Sequence, residues 1–300
     1  MKHPSSGEFK LIDKISRIIG HNSRNVVRGI GDDCAVINAG RGRYMLAASD
    51  VIVESVHFDL SYYSFFDVGW KALAVNFSDI AAMGGVPKYA LVSLGLTKKT
   101  KPQDVSEIYR GMKKLARQYS VDIIGGDTVL SPQKLFISVA VMGEVKKKKV
   151  LYRKGARSGD LIMVTGKFGS SASALQVFSA PAIVPRVKEG RIIAATGKAT
   201  AMMDCSDGLA FTIGEICRQS NVGAYVIRSL IPRVNNISVK DALYAGEDFE
   251  LVFTCPPGFA DIMADKVSSV SGIPVSIIGK IVPRSKGVNI DTKGFDHFLW

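Results

Sequence analysis

A chain of 300 residues, 47% hydrophobic and 22% charged with 29 glycines, can build one large or two medium cores and is not the composition of a disordered protein. The net charge of +12 admits nucleic acid or phosphorylated small molecules as partners, but no helix-turn-helix, zinc finger or aromatic-interleaved basic strand goes with it. Met1 to Gly7 lacks an apolar run and no stretch approaches about 20 apolar residues, so a soluble protein without signal peptide or membrane span is expected.

Taken in chain order, Tyr44 to Ser49 reads as a strand that delivers Asp50 at its C-terminal end. Ser64-Phe65-Phe66-Asp67 has capping-box form, and Trp70, Leu73, Phe77 and Ile80 then recur at helical spacing up to Met83, where Gly84-Gly85 and Pro87 stop the helix. Tyr89 to Leu96 predicts a strand. Val105, Ile108, Met112, Leu115 and Tyr119 trace a second helix beginning at Asp104. Val121 to Ile124 is a strand running into Gly125-Gly126-Asp127, and Leu135 to Val145 is another.

Lys146 to Lys149 reads as a solvated turn or connection and sets a boundary, giving domains 1–148 and 149–300. Beyond it the pattern predicts strands at Asp160–Thr165, Gly223–Arg228, Phe249–Thr254 and Val275–Ile281. Helices are predicted at Ser170–Phe178, Gly208–Ser220 and Phe259–Val270. Two mixed α/β domains are expected, with no short-period repeat.

Cys34, Cys205, Cys217 and Cys255 form no CxxC pair, which suits reduced thiols in a cytoplasmic protein. His3, His21, His57 and His297 are too scattered for a histidine-rich metal site. The conspicuous chemistry is a set of aspartates in glycine-rich or apolar surroundings: Asp32, Asp33, Asp50, Asp79, Asp127, Asp204 and Asp207. A carboxylate in such a place needs a cation or hydrogen bonds. Each alone could cap a helix or close an Asx turn; as a set they suit Mg²⁺, a hard cation that prefers oxygen ligands and substrate phosphates. Asp204 and Asp207 lie at the start of a predicted helix, whose N-terminus attracts anions; Ser206 or Asp207 could instead be its N-cap. Gly166-Lys167-Phe168-Gly169-Ser170 lacks the glycine spacing of a P-loop, and no HRD or DFG is present.

Several segments together resemble the thiamine-monophosphate kinases: Gly29-Ile30-Gly31-Asp32-Asp33, Ser49-Asp50 with Glu54-Ser55-Val56-His57-Phe58, and Trp70-Lys71-Ala72-Leu73-Ala74-Val75-Asn76-Phe77-Ser78-Asp79. Ile124-Gly125-Gly126-Asp127-Thr128, Asp204-Cys205-Ser206-Asp207-Gly208-Leu209, Ala245-Gly246-Glu247-Asp248-Phe249-Glu250-Leu251 and Lys293-Gly294-Phe295-Asp296 continue the match in order. The resemblance implies the two-domain fold shared with aminoimidazole ribonucleotide synthetase, with the N-terminal domain pairing across a homodimer. It implies that Asp33, Ser49, Asp50, Asp79, Asp127, Asp204 and Asp207 hold Mg²⁺, with Asp33, Asp127, Asp204 and Asp207 at the reaction centre. Gly126, Asp127, Arg153, Ser206 and Tyr109 would then contact ATP, and His57, Glu247 and Phe295 thiamine monophosphate. Ala48 stands where the family carries a serine, Gly169-Ser170-Ser171 replaces its Gly-Asp-Ser, and the segment from 178 to 200 looks shortened.

Read without the resemblance, His57 fits a surface histidine, Arg153 a linker arginine, Glu247 a turn residue and Phe295 a packing residue. The implied reaction is direct in-line phosphoryl transfer from ATP, because the acceptor phosphate is already ionised and alignment with charge neutralisation is what remains to be supplied. A selenophosphate synthetase would carry a reactive N-terminal Cys, and hydrogenase-maturation relatives end in Cys where this sequence has Trp300. A nucleic-acid module is the alternative from another class.

Overall fold

The computed structural model describes residues 7–20 and 23–294, apart from the side chain of Phe9. The first half runs α1 (Gly7–Ile19), β1 (Val26–Arg28), β2 (Ala35–Asn38), β3 (Arg43–Val53), α2 (Phe65–Ala82), β4 (Val86–Leu96), α3 (Pro102–Tyr119), β5 (Asp122–Leu130) and β6 (Phe136–Lys146). After a single 3₁₀ turn at Lys147–Lys149 come β7 (Leu161–Thr165), α4 (Ser170–Gln176), α5 (Val187–Thr196), β8 (Ala201–Asp204), α6 (Leu209–Ser220), β9 (Gly223–Val226), α7 (Val239–Tyr244), β10 (Leu251–Cys255), α8 (Ala260–Ser271) and β11 (Val275–Val282). Among the described residues there are two sheets, ordered β1-β2-β3-β6-β4-β5 and β8-β10-β7-β11-β9. Only the β4–β5 ladder, joined through α3, is parallel. That is the crossover a parallel pair requires.

Chain order alone did not reveal how α2 is used. Ser64 starts it by the expected capping box, its hydroxyl accepting the Asp67 N–H while Asp67 accepts the Ser64 N–H. The helical spacing of Trp70, Leu73, Phe77 and Ile80 showed one apolar face. Instead α2 is buried almost all round, because it packs on β3 and β6 of its own half and on α5 and β8 of the other. Gly69 and Gly111 allow α2 and α3 to meet closely: a Cβ on either would collide with backbone of the facing helix at about 2 Å.

Other boundaries moved for local reasons. Asp50 does not end its strand; β3 continues to Val53 in full register with β6, and the Asp50 N–H donates to Asn76 Oδ1 from α2. The β5 strand continues through Gly125-Gly126-Asp127 to Leu130, so that motif lies within an edge strand. Phe249, predicted as the first residue of a strand, has φ 51° and belongs to a turn before β10. Phe178, at φ 50°, similarly lies beyond the end of α4. The segment 178–200 crosses to the first half, where Trp70 Nε1 donates to the Ile183 carbonyl and Tyr119 Oη to that of Pro185, and then forms α5. No described helix is long and apolar enough to cross a membrane.

Candidate active site

The aspartates converge where α2 passes between the sheets. Asp33 precedes β2, Asp79 sits near the end of α2 and Asp204 ends β8; one carboxylate oxygen of each lies within 4.8 Å of the others. Asp50 interacts electrostatically with the Asp79 carboxyl, which extends the group onto β3. Ser78 donates to Asp204 Oδ2 at 2.7 Å, so α2 reaches the second half through adjacent residues. Arg153 holds Asp33 from the side, its Nε and Nη2 lying 3.0 and 2.7 Å from Oδ1, while its own N–H donates to Asp32 Oδ1 at 3.0 Å. Asp33 Oδ2 is buried with no hydrogen-bond partner.

Such crowding costs energy while no cation is present. Burial is the largest cause pushing Asp204 up to about 8, with Asp33 next and the Ser78 bond opposing. Burial likewise pushes Asp79 well above the carboxylate range, helped by Asp50 and Asp204, and raises Asp33 against the pull of Arg153. Asp32 is raised to about 6, by burial first and then by Asp33. An all-oxygen donor set, an orphaned carboxylate oxygen and this excess of negative charge fit Mg²⁺.

The loop after β8 carries Ser206 and Asp207. Neither caps α6: the N-cap is Gly208 at φ 103°, and no side chain caps the helix. The N-terminus of this twelve-residue helix opens beside Asp207, and its dipole favours an anion there.

A second feature adjoins the cluster along α2. A cavity of about 250 Å³ opens between the halves, lined by His57, Phe58, Tyr62 and Tyr63 on one side and by Ser171 and Glu247 on the other. His57 Nδ1 accepts the Val53 N–H at 3.1 Å, which leaves the imidazole proton to Nε2 when the ring is neutral. Tyr62 and Tyr63 place their ring centroids 5.3 Å apart. Glu247 is tied back to the other site, its N–H donating to the Ser206 carbonyl at 2.6 Å.

The structure thus brings together Asp33, Asp50, Asp79 and Asp204 with Arg153 upon them, and separately His57 with Glu247. It does not bring Asp127 to the cluster within one chain. Along the sheet Asp127 pairs with Ser93, Ser93 with Ser138, and Ser138 with Val51. Asp127 is thus level with outward-facing Val51 rather than Asp50, three strands and roughly 14 Å away. Ser49 alternates to the same open face and is exposed. Tyr109 is half-buried on α3 against the core of the first half. Gly126 lies beside Asp127 on β5, so close to β4 that a Cβ would meet the Val92 carbonyl oxygen at 1.6 Å. Phe295 lies outside the described residues. Sequence reasoning missed Ser78, Lys71 and the Tyr62-Tyr63 pair. A lysine set between Trp70 and Ala72 in the mainly apolar stretch from Val68 to Val75 was the available signal for the second of these.

Comparison with known proteins fits this arrangement. The AIR synthase related protein family matches through its N-terminal domain over residues 31–145 and its C-terminal domain over residues 157–291. Those two matched domains correspond to the two α/β halves of this chain. Thiamine-monophosphate kinase of Bacillus subtilis (strain 168) is 36% identical over 97% of this chain and 99% of its own. AaThiL complexed with AMPPCP and TMP superposes with a TM-score of 0.82 at 30% identity, covering 97% of both chains. Thiamine-monophosphate kinase from Stenotrophomonas maltophilia K279a gives 0.77 at 31% identity, covering 97% of this chain and 98% of that one. The chain belongs to the thiamine-monophosphate kinase family and is a phosphotransferase.

Proposed function

We propose that the protein transfers the γ-phosphoryl group of ATP to the phosphate of thiamine monophosphate, forming thiamine diphosphate, in the cytoplasm. The observation that carries this reading is the placement of both sites on one helix. Lys71 on α2 contacts Tyr63 and Glu247 of the cavity wall, and Asp79, eight residues on, belongs to the carboxylate cluster. Eight residues of α-helix span about 12 Å, a fitting length for an acceptor whose rings occupy the cavity and whose phosphate reaches the cluster. The AaThiL complex with AMPPCP and TMP supports it.

Mg²⁺ would be held by Asp33, Asp50, Asp79 and Asp204, with Asp207 beside them, and when bound it supplies charge neutralisation for the phosphates of donor and acceptor. The chain's own groups do the rest. Arg153 orients Asp33 by occupying Oδ1, and Ser78 orients Asp204. The N-terminus of α6, beside Asp207, favours phosphate oxygens through the helix dipole. Tyr62 and His57 bound the acceptor rings. The acceptor oxygen needs no general base, and all four cysteines are buried, so transfer is direct and in line without a phosphoenzyme. ADP release should require thiamine monophosphate and be absent with free thiamine, and γ-labelled ATP should leave no label on the denatured chain. Turnover of free thiamine with thiamine monophosphate inert would sink the reading.

Residues 1–148 and 149–300 are read as its two domains, and the first as the pairing face of a homodimer. The outer face of the six-stranded sheet exposes Val51, Tyr89, Leu91 and Ile124, an apolar surface next to the open edge of β5. Asp127, Gly126 and Ser49 lie on that face or edge, so they complete a site only across a two-fold contact. Mixing Asp127→Asn protomers with Asp204→Asn protomers should restore about a quarter of wild-type activity, since each mixed dimer regains one intact site. No recovery after exchange, or a monomer in sedimentation, would rule this out.

A further inference from the structure

The backbone around Glu247 is fixed entirely from the second half. Gly246, Glu247 and Phe249 have φ of 73°, 56° and 51° in succession around Asp248, a conformation that must be held in place by its surroundings. Asp248 accepts the N–H groups of Gly169 and Ser170, Ser171 Oγ donates to the Gly246 carbonyl, and the Glu247 N–H is taken by Ser206. Glu250 is anchored in turn by Arg186 and Thr165.

The tip of the Glu247 side chain is held from the other half. Lys71 is a buried lysine, its side chain 3% exposed, in a helix that otherwise presents apolar or small residues there. Its Nζ lies 2.7 Å from Glu247 Oε1, 2.5 Å from the His57 carbonyl and 3.4 Å from Tyr63 Oη, and 5.4 Å above the Tyr63 ring. An ammonium has three donors. These three acceptors occupy them all, which leaves none for a ligand. The Glu247 side chain, by contrast, is 35% exposed and lines the cavity, with Oε1 taken by Lys71 and Oε2 left for a ligand.

We propose that Lys71 is a positioning residue that acts through Glu247: it holds the carboxylate across the gap between the halves and aims Oε2 into the cavity, at a cationic ring or an amino group of the acceptor. The His57 carbonyl and Tyr63 Oη hold the ammonium in place for that role. The lysine that holds Glu247 thus stands on α2, the helix that also carries Asp79. This rests on the reading of the cavity as the thiamine monophosphate site.

The test is steady-state kinetics with ATP and thiamine monophosphate varied separately, for wild type, Lys71→Met, Glu247→Gln and the double variant. Lys71→Met and Glu247→Gln should each raise KM for thiamine monophosphate about tenfold, with kcat and the KM for ATP within about twofold of wild type. The double variant should be no worse than Glu247→Gln, because Lys71 has nothing left to position. Multiplying effects, or a KM for ATP raised as much as that for the acceptor, would overturn the proposal. Should Lys71→Met fail to fold alone, the double variant against Glu247→Gln decides, since both lack the carboxylate that the lysine would leave unpaired. A wild-type protein that releases no ADP with thiamine monophosphate would sink the functional reading instead, a result distinct from either.

Discussion

Asp204→Asn and Asp79→Asn should each lower kcat by about 100-fold or more, some 3 kcal/mol of transition-state stabilisation. Asparagine keeps the shape of the side chain and can still accept the Ser78 hydroxyl, so β8 and α2 should remain joined. What it removes is one negative charge from a group in which Asp33, Asp79 and Asp204 each place an oxygen within 4.8 Å of the others. The loss should therefore appear in the Mg²⁺ dependence, with half-saturation moving to higher concentration while the acceptor KM changes little. Kinetics with Mg²⁺, ATP and thiamine monophosphate varied in turn separates these parameters. Full turnover of either variant at ordinary Mg²⁺ would remove the cluster from the reaction. Lys71→Met, on the same helix, is expected to show the opposite pattern, so the two variants divide α2 into an acceptor end and a phosphate end.

The carboxylates of this cluster were legible because an aspartate beside glycine or serine in an apolar segment has few structural uses, and several such segments recur along the chain. The strands and helices with clear periodicity, such as β6 and α3, were legible for the same local reason. The short elements were not: β1, β2 and α7 span six residues or fewer and form only because a neighbour covers them. The burial of α2 on all sides could not be read either, since an apolar face looks the same whether it meets one sheet or a sheet and a second domain.

The site divided along the same line. Asp33, Asp79 and Asp204 lie in three separate segments, yet each could be named from its own surroundings. Lys71 could not be assigned a role this way, because its partner Glu247 lies 176 residues away and belongs to the other half. Arg153 was expected at ATP; that it also holds Asp33 depends on where residue 153 returns to the first half, which its own surroundings in the sequence do not show. Asp127 shows the reverse limit: its motif looks like part of the cluster, while the register of β5 carries it to the opposite face of the sheet.

Metal-free protein should lose stability as pH rises from 6 to 8. Asp204 has a folded value of about 8 against an ordinary 3.8, and burial is the main cause. A carboxyl raised on folding binds its proton more tightly in the native state than in the unfolded chain. Its contribution is therefore fully present below the unfolded value and is lost as pH rises through the folded one. Between pH 6 and 8 the unfolded chain has already released this proton, while the native state holds it at pH 6 and loses about half of it by pH 8. Each pH unit then costs up to about 1.4 kcal/mol, less as the folded value is approached, or about 2 kcal/mol across the interval from Asp204 alone. Asp79, raised well above the usual range by burial and by Asp50, acts in the same direction. Mg²⁺ competes with those protons, so saturating Mg²⁺ should stabilise the protein more at pH 8 than at pH 6 and flatten the slope. Asp204→Asn should flatten it without metal, because the amide does not titrate. Urea unfolding at pH 6, 7 and 8, in EDTA and then in excess Mg²⁺, measures all three effects. A metal-free stability that is level or rises over this interval would show that the cluster is not held as a crowded, partly protonated group, and an unchanged slope in Mg²⁺ would separate it from the metal.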